Sequence, residues 1–234
     1  MNKTLLITGG SSGIGQEIAQ LALDKHIHVM ILDIQEPKIK SEFLTYYQCD
    51  LSKINEIDSV LNQIMNKQIK IDYLINNAAI QYVKPFESLD MDEWDHVFNV
   101  NLKAAVYLTH QLSKQMIDGD SILNISSVHG EKPRENKYAY DASKAALNMF
   151  SKESALILAK RGIRVNVLSL GATKTPMNDN FRDKMMYDEA VKKIPLGEVA
   201  DAKEVAKFAL YLLLEVNYAT GSIFTLDGGR SLVG

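Results

Sequence analysis

A single cysteine, Cys49, stands among 234 residues, so no internal disulfide can form. A lone thiol at the end of an apolar-rich stretch reads as a small buried side chain in a reducing compartment. No apolar run approaches the roughly 18 residues that a membrane span requires. The opening Met1-Asn2-Lys3 passes straight into Thr4-Leu5-Leu6-Ile7-Thr8 and a glycine run, which is not a signal-peptide pattern. The expectation is a soluble, cytoplasmic protein. Positive charge is not in excess either: 26 Lys and Arg meet 29 Asp and Glu for a net charge of −3, and the basic residues are scattered. No stripe is left for a phosphate backbone, which argues against nucleic acid as a partner. His26, His28, His96 and His110 lack metal-ligand spacing, so no metal is assigned. With no linker, low-complexity tract or repeat of 20–50 residues to divide it, residues 1–234 read as one domain.

What the chain has is alternation. Short apolar runs at 4–8, 28–33, 45–49, 73–76, 121–126, 164–169 and 222–226 read as strands. Between them the period becomes helical, as in Ile14, Ile18, Leu21 and Ala22, or Ile54, Ile57, Val60, Leu61 and Ile64. Asp90 with Glu93, and Asp201 with Glu204, have the spacing of capping boxes at helix starts. Alternating strands and helices predict an α/β fold, a doubly wound and mainly parallel seven-stranded sheet flanked by helices, with ligands at the carboxyl ends of the strands.

The run Thr8-Gly9-Gly10-Ser11-Ser12-Gly13-Ile14-Gly15 follows the first strand and opens the first helix. In that context missing side chains admit a close backbone approach, and the helix N-terminus offers N–H groups and a positive dipole end to a pyrophosphate. Asp33 ends the second strand twenty residues after Gly13, near the separation at which an acid meets the adenosine ribose hydroxyls. A carboxylate there accepts from a diol and repels a 2′-phosphate. Neither Ser12 nor Ile34 is basic, so NAD is favoured over NADP.

Tyr140 and Lys144 stand four residues apart, on one helix face, with Ser127 thirteen residues before Tyr140. Free tyrosine titrates near pH 10, and a shift of about 2–3 units requires roughly 3–4 kcal/mol of preference for the phenolate. An ammonium about 5 Å away supplies on the order of 3 kcal/mol at an effective dielectric of 20, and an oxidised nicotinamide adds further positive charge. On this reasoning the lysine suffices without a metal. Tyr138 is followed four residues later by Ala142 and lacks such a partner, whereas Ser126 remains a rival to Ser127.

These motifs in this order resemble the short-chain dehydrogenase/reductase family over essentially the whole chain, from Thr8 to Asp227-Gly228-Gly229. The resemblance implies a Rossmann-like domain in which Tyr140 is the general acid/base and Lys144 lowers its pKa while holding the nicotinamide ribose. Ser127 would bond the substrate oxygen, and Asn101 would order a water in the proton relay. Asp50-Leu51 is similar to the family's adenine-contacting pair, and Asn76-Asn77-Ala78-Ala79 to its N-N-A-G segment along the cofactor, with Ala79 in place of the glycine. Leu170-Gly171-Ala172-Thr173-Lys174-Thr175 resembles its P-G-x-x-x-T turn, in which a backbone group and the threonine hydroxyl meet the cofactor. Helices around 103–116 and 142–160 would pair across a dimer or tetramer interface.

An NAD(H)-dependent interconversion of secondary alcohol and ketone follows, with a 3-oxoacyl-thioester reductase or a catalytically silent NAD-binding regulator as alternatives. The polar His129, Glu131 and Arg134 after Ser127, and Asn178, Asn180 and Arg182 after Thr175, are expected to line a pocket for a sugar, polyol or hydroxy acid. The mixed segment 177–195 is expected to close over it as a lid.

Overall fold

The computed structural model describes residues 3–178 and 183–233. Its strands are β1 (Thr4–Thr8), β2 (His28–Asp33), β3 (Leu44–Gln48), β4 (Tyr73–Asn76), β5 (Ser121–Ser127), β6 (Arg164–Leu170) and β7 (Ile223–Leu226). They form one sheet in the order β3-β2-β1-β4-β5-β6-β7, with every pairing parallel. The helices between them are α1 (Gly13–Asp24), α2 (Ile54–Asn66), α3 (Met91–Phe98), α4 (Ala104–Leu112), α5 (Tyr138–Leu158), α6 (Lys184–Val191) and α7 (Ala202–Leu214). Among the described residues no helix is long and apolar enough to cross a membrane.

Successive strand side chains point to opposite faces, which is why continuous apolar runs build two cores. Leu6, Met30, Leu32, Leu74, Ile122 and Val165 pack against Ile57, Leu61, Leu108 and Leu158 of α2, α4 and α5. Leu5, Ile7, Val29, Ile31, Ile75 and Leu123 face Ile18 and Ala22 of α1 and Val205 and Ala209 of α7. Strand order reverses between β1 and β4, and the crevice outside their carboxyl ends is where a doubly wound sheet receives ligands.

Two local expectations need amendment. The edge strand β3 lies one residue earlier than the apolar pattern indicates, although the Cys49 N–H still donates to the Asp33 carbonyl at 3.0 Å. The box at Asp90 is half formed: Asp90 accepts from the N–H groups of Asp92 and Glu93, but the Glu93 carboxylate takes the Lys84 ammonium at 2.6 Å. A nearby cation competes successfully for it.

At the amino ends of the strands, Asp72 and Asp120 are buried and paired. Asp72 accepts from the ammonium groups of Lys3 and Lys70, each at 2.9 Å, and from the Thr4 N–H. Asp120 takes Lys70 and the Ile117 N–H.

Candidate active site

At the opposite end an open cleft of about 360 Å³ runs from Asp33 to Tyr140. One flank is the turn between β1 and α1, where Gly9 (φ 65°) and Gly13 (φ 53°) adopt left-handed backbone that glycine tolerates. A Cβ on Gly13 would reach to 3.4 Å from Thr175 and Pro176, narrowing the cleft. One on Gly15 would stand 2.1 Å from the Gly9 carbonyl oxygen, so Gly15 serves helix-to-turn packing and does not line the cleft. Ser12 caps α1 with backbone alone, and no acid sits in the first turn. Helix N–H groups there remain free of a capping side chain.

Asp33 lines the far end, its two carboxylate oxygens accepting from the backbone N–H groups of Ser11 and Gln35, each at 3.0 Å. Ser11 therefore acts behind the wall, and its hydroxyl donates to the Gln35 carbonyl. Ser12, Ile14, Asp50, Leu51, Asn77, Ala78, Ala79, Thr173 and Thr175 all border the cleft. The Asp50 carboxylate is engaged by Ser52 and Lys53, leaving mainly its backbone and Leu51 for a ligand. Asn77 ties the walls together, its amide donating to the Thr8 and Gly9 carbonyls at 3.0 and 2.9 Å. Ala79 does not have the positive φ that would demand glycine. Cys49 also lines this end, its buried thiol pushed up to about 12 by burial.

Ser127 ends β5, and Tyr140 and Lys144 project from the first turns of α5. All three line the cleft. The Lys144 ammonium, 2% exposed, donates to the Ile125 carbonyl at 2.8 Å and lies 5.7 Å from the Tyr140 ring centroid. Ser126 lines the same wall, and its hydroxyl has no hydrogen-bond partner among the described residues. Tyr138 instead bonds Asn136 and packs edge-on against Phe86.

Burial opposes the electrostatic expectation for this pair. Burial pushes Tyr140 up to about 12, against which the Ser127 hydroxyl favours the phenolate. Burial also pushes Lys144 down to about 8. Desolvation is the largest influence on the phenol, ahead of the Ser127 hydrogen bond.

Asn101 lies behind the cleft, in a π-helical turn spanning Asn99–Lys103 between α3 and α4. Its amide accepts from the Ile80 N–H at 2.8 Å and donates to the Ile80 carbonyl and Ser143. It thereby fixes the strand-to-helix loop that carries Ala79 and Ile80.

The expected polar lining is realised only in part. His129 bonds the Lys132 carbonyl, Glu131 and Arg134 are exposed, and none of the three lines the cleft. The turn after Ser127 carries them away from it. Asn178 does line it, held by the Thr173 carbonyl at 3.0 Å, whereas Asn180 and Arg182 lie outside the described residues. Ile80, His96, Val100, Leu170 and Met177 complete that wall. His96, which sequence spacing dismisses, is placed there by the α3 face and bonds the Tyr82 hydroxyl at 2.9 Å. Of 177–195, the described part holds α6, capped by Asp183, and a buried Ile194 set against Gly228.

A family model described as enoyl-(acyl carrier protein) reductase matches residues 9–231. Carbonyl reductase family member 4 of Xenopus laevis is 35% identical, with 99% of each chain covered. The 3-oxoacyl-[acyl-carrier-protein] reductase FabG of Thermotoga maritima is 33% identical over 97% of each chain. A solved 4-hydroxyisoleucine dehydrogenase in complex with NADH superposes with a TM-score of 0.95 at 30% identity, over the full length of both chains. Fold, motif order and full-length similarity together establish that the chain belongs to the short-chain dehydrogenase/reductase family, oxidoreductases that act on CH–OH groups.

Proposed function

We propose that the protein is an NAD(H)-dependent oxidoreductase that interconverts a secondary alcohol and its ketone on a small polar substrate. The observation that carries this reading is one continuous cleft joining Asp33, the glycine turn, Ser127, Tyr140 and Lys144. The residues fit a dinucleotide: the turn is hollowed where a Gly13 Cβ would intrude, the α1 N-terminus lacks an acid, and Asp33 is oriented by two backbone N–H groups. Gly9, Ser12, Gly13 and Ile14 would hold the pyrophosphate, with Ser11 bracing Asp33 behind them, Asp33 the adenosine ribose, Leu51 and the Asp50 backbone the adenine, and Asn77 to Ala79, Lys144, Thr173 and Thr175 the nicotinamide half. Bound there, the cofactor supplies or accepts the hydride.

The chain's own task is the proton. Tyr140 exchanges it with the substrate oxygen, and Ser127 hydrogen-bonds that oxygen and favours the phenolate. Lys144 anchors the tyrosine side of the cleft through Ile125, and Asn101 positions the Ile80 loop and Ser143. Bound beside Lys144, the oxidised ring would add positive charge that favours the phenolate. Segment 177–195 is assigned as the lid. The exposed Met149, Leu156 and Ile157 of α5 are assigned as the self-association face of a dimer or tetramer.

The FabG relatives favour a second reading, a 3-oxoacyl-thioester reductase. Against it stands Asp33, whose carboxylate opposes the 2′-phosphate of the cofactor usual in biosynthetic reduction. Calorimetry separates the two: NAD(H) is expected to bind at least tenfold more tightly than NADP(H), about 1.4 kcal/mol, and Asp33→Ser to narrow the gap. Equal affinity, together with turnover of long acyl thioesters in preference to small alcohols, would reverse the assignment.

A further inference from the structure

Beside the catalytic tyrosine lies a buried cation that forms no ion pair among the described residues. Lys137 precedes α5 and is 8% exposed. Its ammonium donates to Oε1 of Gln81 at 2.6 Å and stands 5.5 Å from the Tyr140 ring centroid. Gln81 in turn donates to the carbonyl of Met177 at 3.4 Å; Met177 and Tyr140 line the cleft, and Lys137 and Gln81 stand behind them, outside its lining. No ion pair among the described residues includes Lys137. The nearby Asp141 carboxylate acts on Lys137 through space without an ion pair: its Oδ2 accepts from the Arg134 N–H at 2.7 Å, its Oδ1 has no hydrogen bond among the described residues, and Arg134 and His129 add further basic groups around it.

A buried ammonium with one hydrogen bond among the described residues, to a glutamine carbonyl, and an acid only beyond ion-pair distance is poorly compensated, since burial of charge is unfavourable unless a paired opposite charge or several hydrogen bonds replace water. As a mere brace for Gln81, a neutral side chain would serve at lower cost. The position of the charge is what needs explaining. Lys137 and Tyr140 are three residues apart and meet on one side of the helix entry. A ligand that touches both must present an anion within a few bonds of its reacting carbon.

We infer that Lys137, steered by Gln81, receives a carboxylate of the substrate, so that the cleft takes a short hydroxy acid and the corresponding keto acid. This rests on the function proposed above and selects among its substrate classes, against neutral polyols and sugars and against long acyl thioesters. The carboxylate takes no part in the bond changes. In the oxidation direction the carbinol hydride goes to NAD, the hydroxyl proton goes to Tyr140, and the C–O bond becomes a carbonyl.

Matched substrates test it. 3-Hydroxybutanoate and 4-hydroxypentanoate are compared with their methyl esters in the presence of NAD, for the full-length protein and for Lys137→Met, Lys137→Arg and Gln81→Ala. At least one acid is expected to exceed its ester tenfold or more in kcat/KM. Lys137→Met should raise KM for that acid at least tenfold while leaving the ester within threefold, with Lys137→Arg recovering part of the loss and Gln81→Ala weaker than wild type. Turnover of esters or neutral alcohols as good as that of acids overturns the carboxylate site and leaves the alcohol dehydrogenase reading standing. If nothing is turned over, that reading fails, and calorimetry with succinate in the presence of NADH decides the site by itself. Tenfold weaker binding to Lys137→Met supports it, and absent or equal binding overturns it.

Discussion

The two ends of the sheet bury charge in opposite ways. At the amino ends, Asp72 and Asp120 are enclosed with Lys3, Lys70 and backbone N–H groups within hydrogen-bond reach. At the carboxyl ends, the buried Lys137 and Lys144 hydrogen-bond carbonyl oxygens and form no ion pair among the described residues. Paired charge at one end ties β1, β4 and β5 together, and charge without an ion pair at the other is, on the proposed reading, electrostatic potential held for a ligand. The difference shows where the fold is stabilised and where stability is given up for chemistry.

The comparison breaks most sharply at Tyr140. Tyr140→Phe keeps the ring, the cleft wall and the packing against Lys144 but removes the exchangeable proton, so a fall in kcat of about 10³-fold is expected. Affinity for NAD, measured by calorimetry, should stay within threefold. Substantial residual turnover, or a comparable loss in Tyr138→Phe, would assign the proton to another group. Lys144→Ala should lower both turnover and NAD affinity, since it faces the cofactor half as well as the tyrosine.

At the paired end, Asp72→Ala leaves the buried Thr4 N–H without its acceptor and removes the anion between Lys3 and Lys70. A loss of about 2–3 kcal/mol is expected, seen as a fall in Tm of roughly 5–10 °C with activity retained. Burial raises the Asp72 carboxyl, but the Lys3 and Thr4 hydrogen bonds outweigh it and hold the group below its ordinary 3.8. A depressed acid contributes stability above its unfolded value and loses it as pH falls through the folded one. The deficit of the variant should therefore be full at neutral pH and shrink below 3.8.

At the unpaired end the sign reverses. Burial, then the Arg134 charge, pushes Lys137 down from 10.5 to about 8, so the folded state binds this proton less tightly than the unfolded chain. Stability then rises with pH between about 8 and 10.5. Lys137→Met should accordingly raise stability at pH 7 by about 1–2 kcal/mol, less than the full shift implies because the Gln81 hydrogen bond is also lost. That gain should vanish above pH 10.5. Chemical denaturation at pH 7 and pH 11 measures it, and a variant destabilised at pH 7 would mean that the lysine is a structural strut.

Both ends differ also in how far the sequence displays them. Strands, the glycine turn and the Ser127, Tyr140 and Lys144 spacing are local patterns, fixed by alternation, by positive φ at Gly9 and Gly13 and by helix periodicity. The edge strand β3 slips by one residue because it has a neighbour on one side only. The π turn at Asn99–Lys103 leaves no periodic trace in so short a stretch, yet it determines where Asn101 points. Lys137 is invisible for another reason. A lysine before a helix ordinarily reads as solvated, and its burial depends on Gln81, 56 residues earlier in the chain. The groups His129, Glu131 and Arg134 after Ser127 are legible as polar, but their turn away from the cleft is not, because it involves a backbone hydrogen bond from Arg134 to the Asp141 carboxylate seven residues on.

The smallest expected effect concerns Ala79, where the chain departs from the family's N-N-A-G segment. Its neighbours are fixed on both sides: the Asn77 and Ala78 N–H groups donate to the Thr8 hydroxyl, and Ile80 is held by both ends of the Asn101 amide. Ala79 itself lacks positive φ, so its methyl costs no backbone strain, and it borders the cleft without filling the glycine turn. Ala79→Gly should therefore leave NAD affinity within threefold. It should lower stability by about 0.5–1 kcal/mol, because the unfolded chain gains freedom that the folded loop does not use. Paired calorimetry and thermal melts distinguish this from the converse, in which a tenfold gain in NAD affinity would show that the methyl crowds the cofactor and that glycine serves close approach at this position.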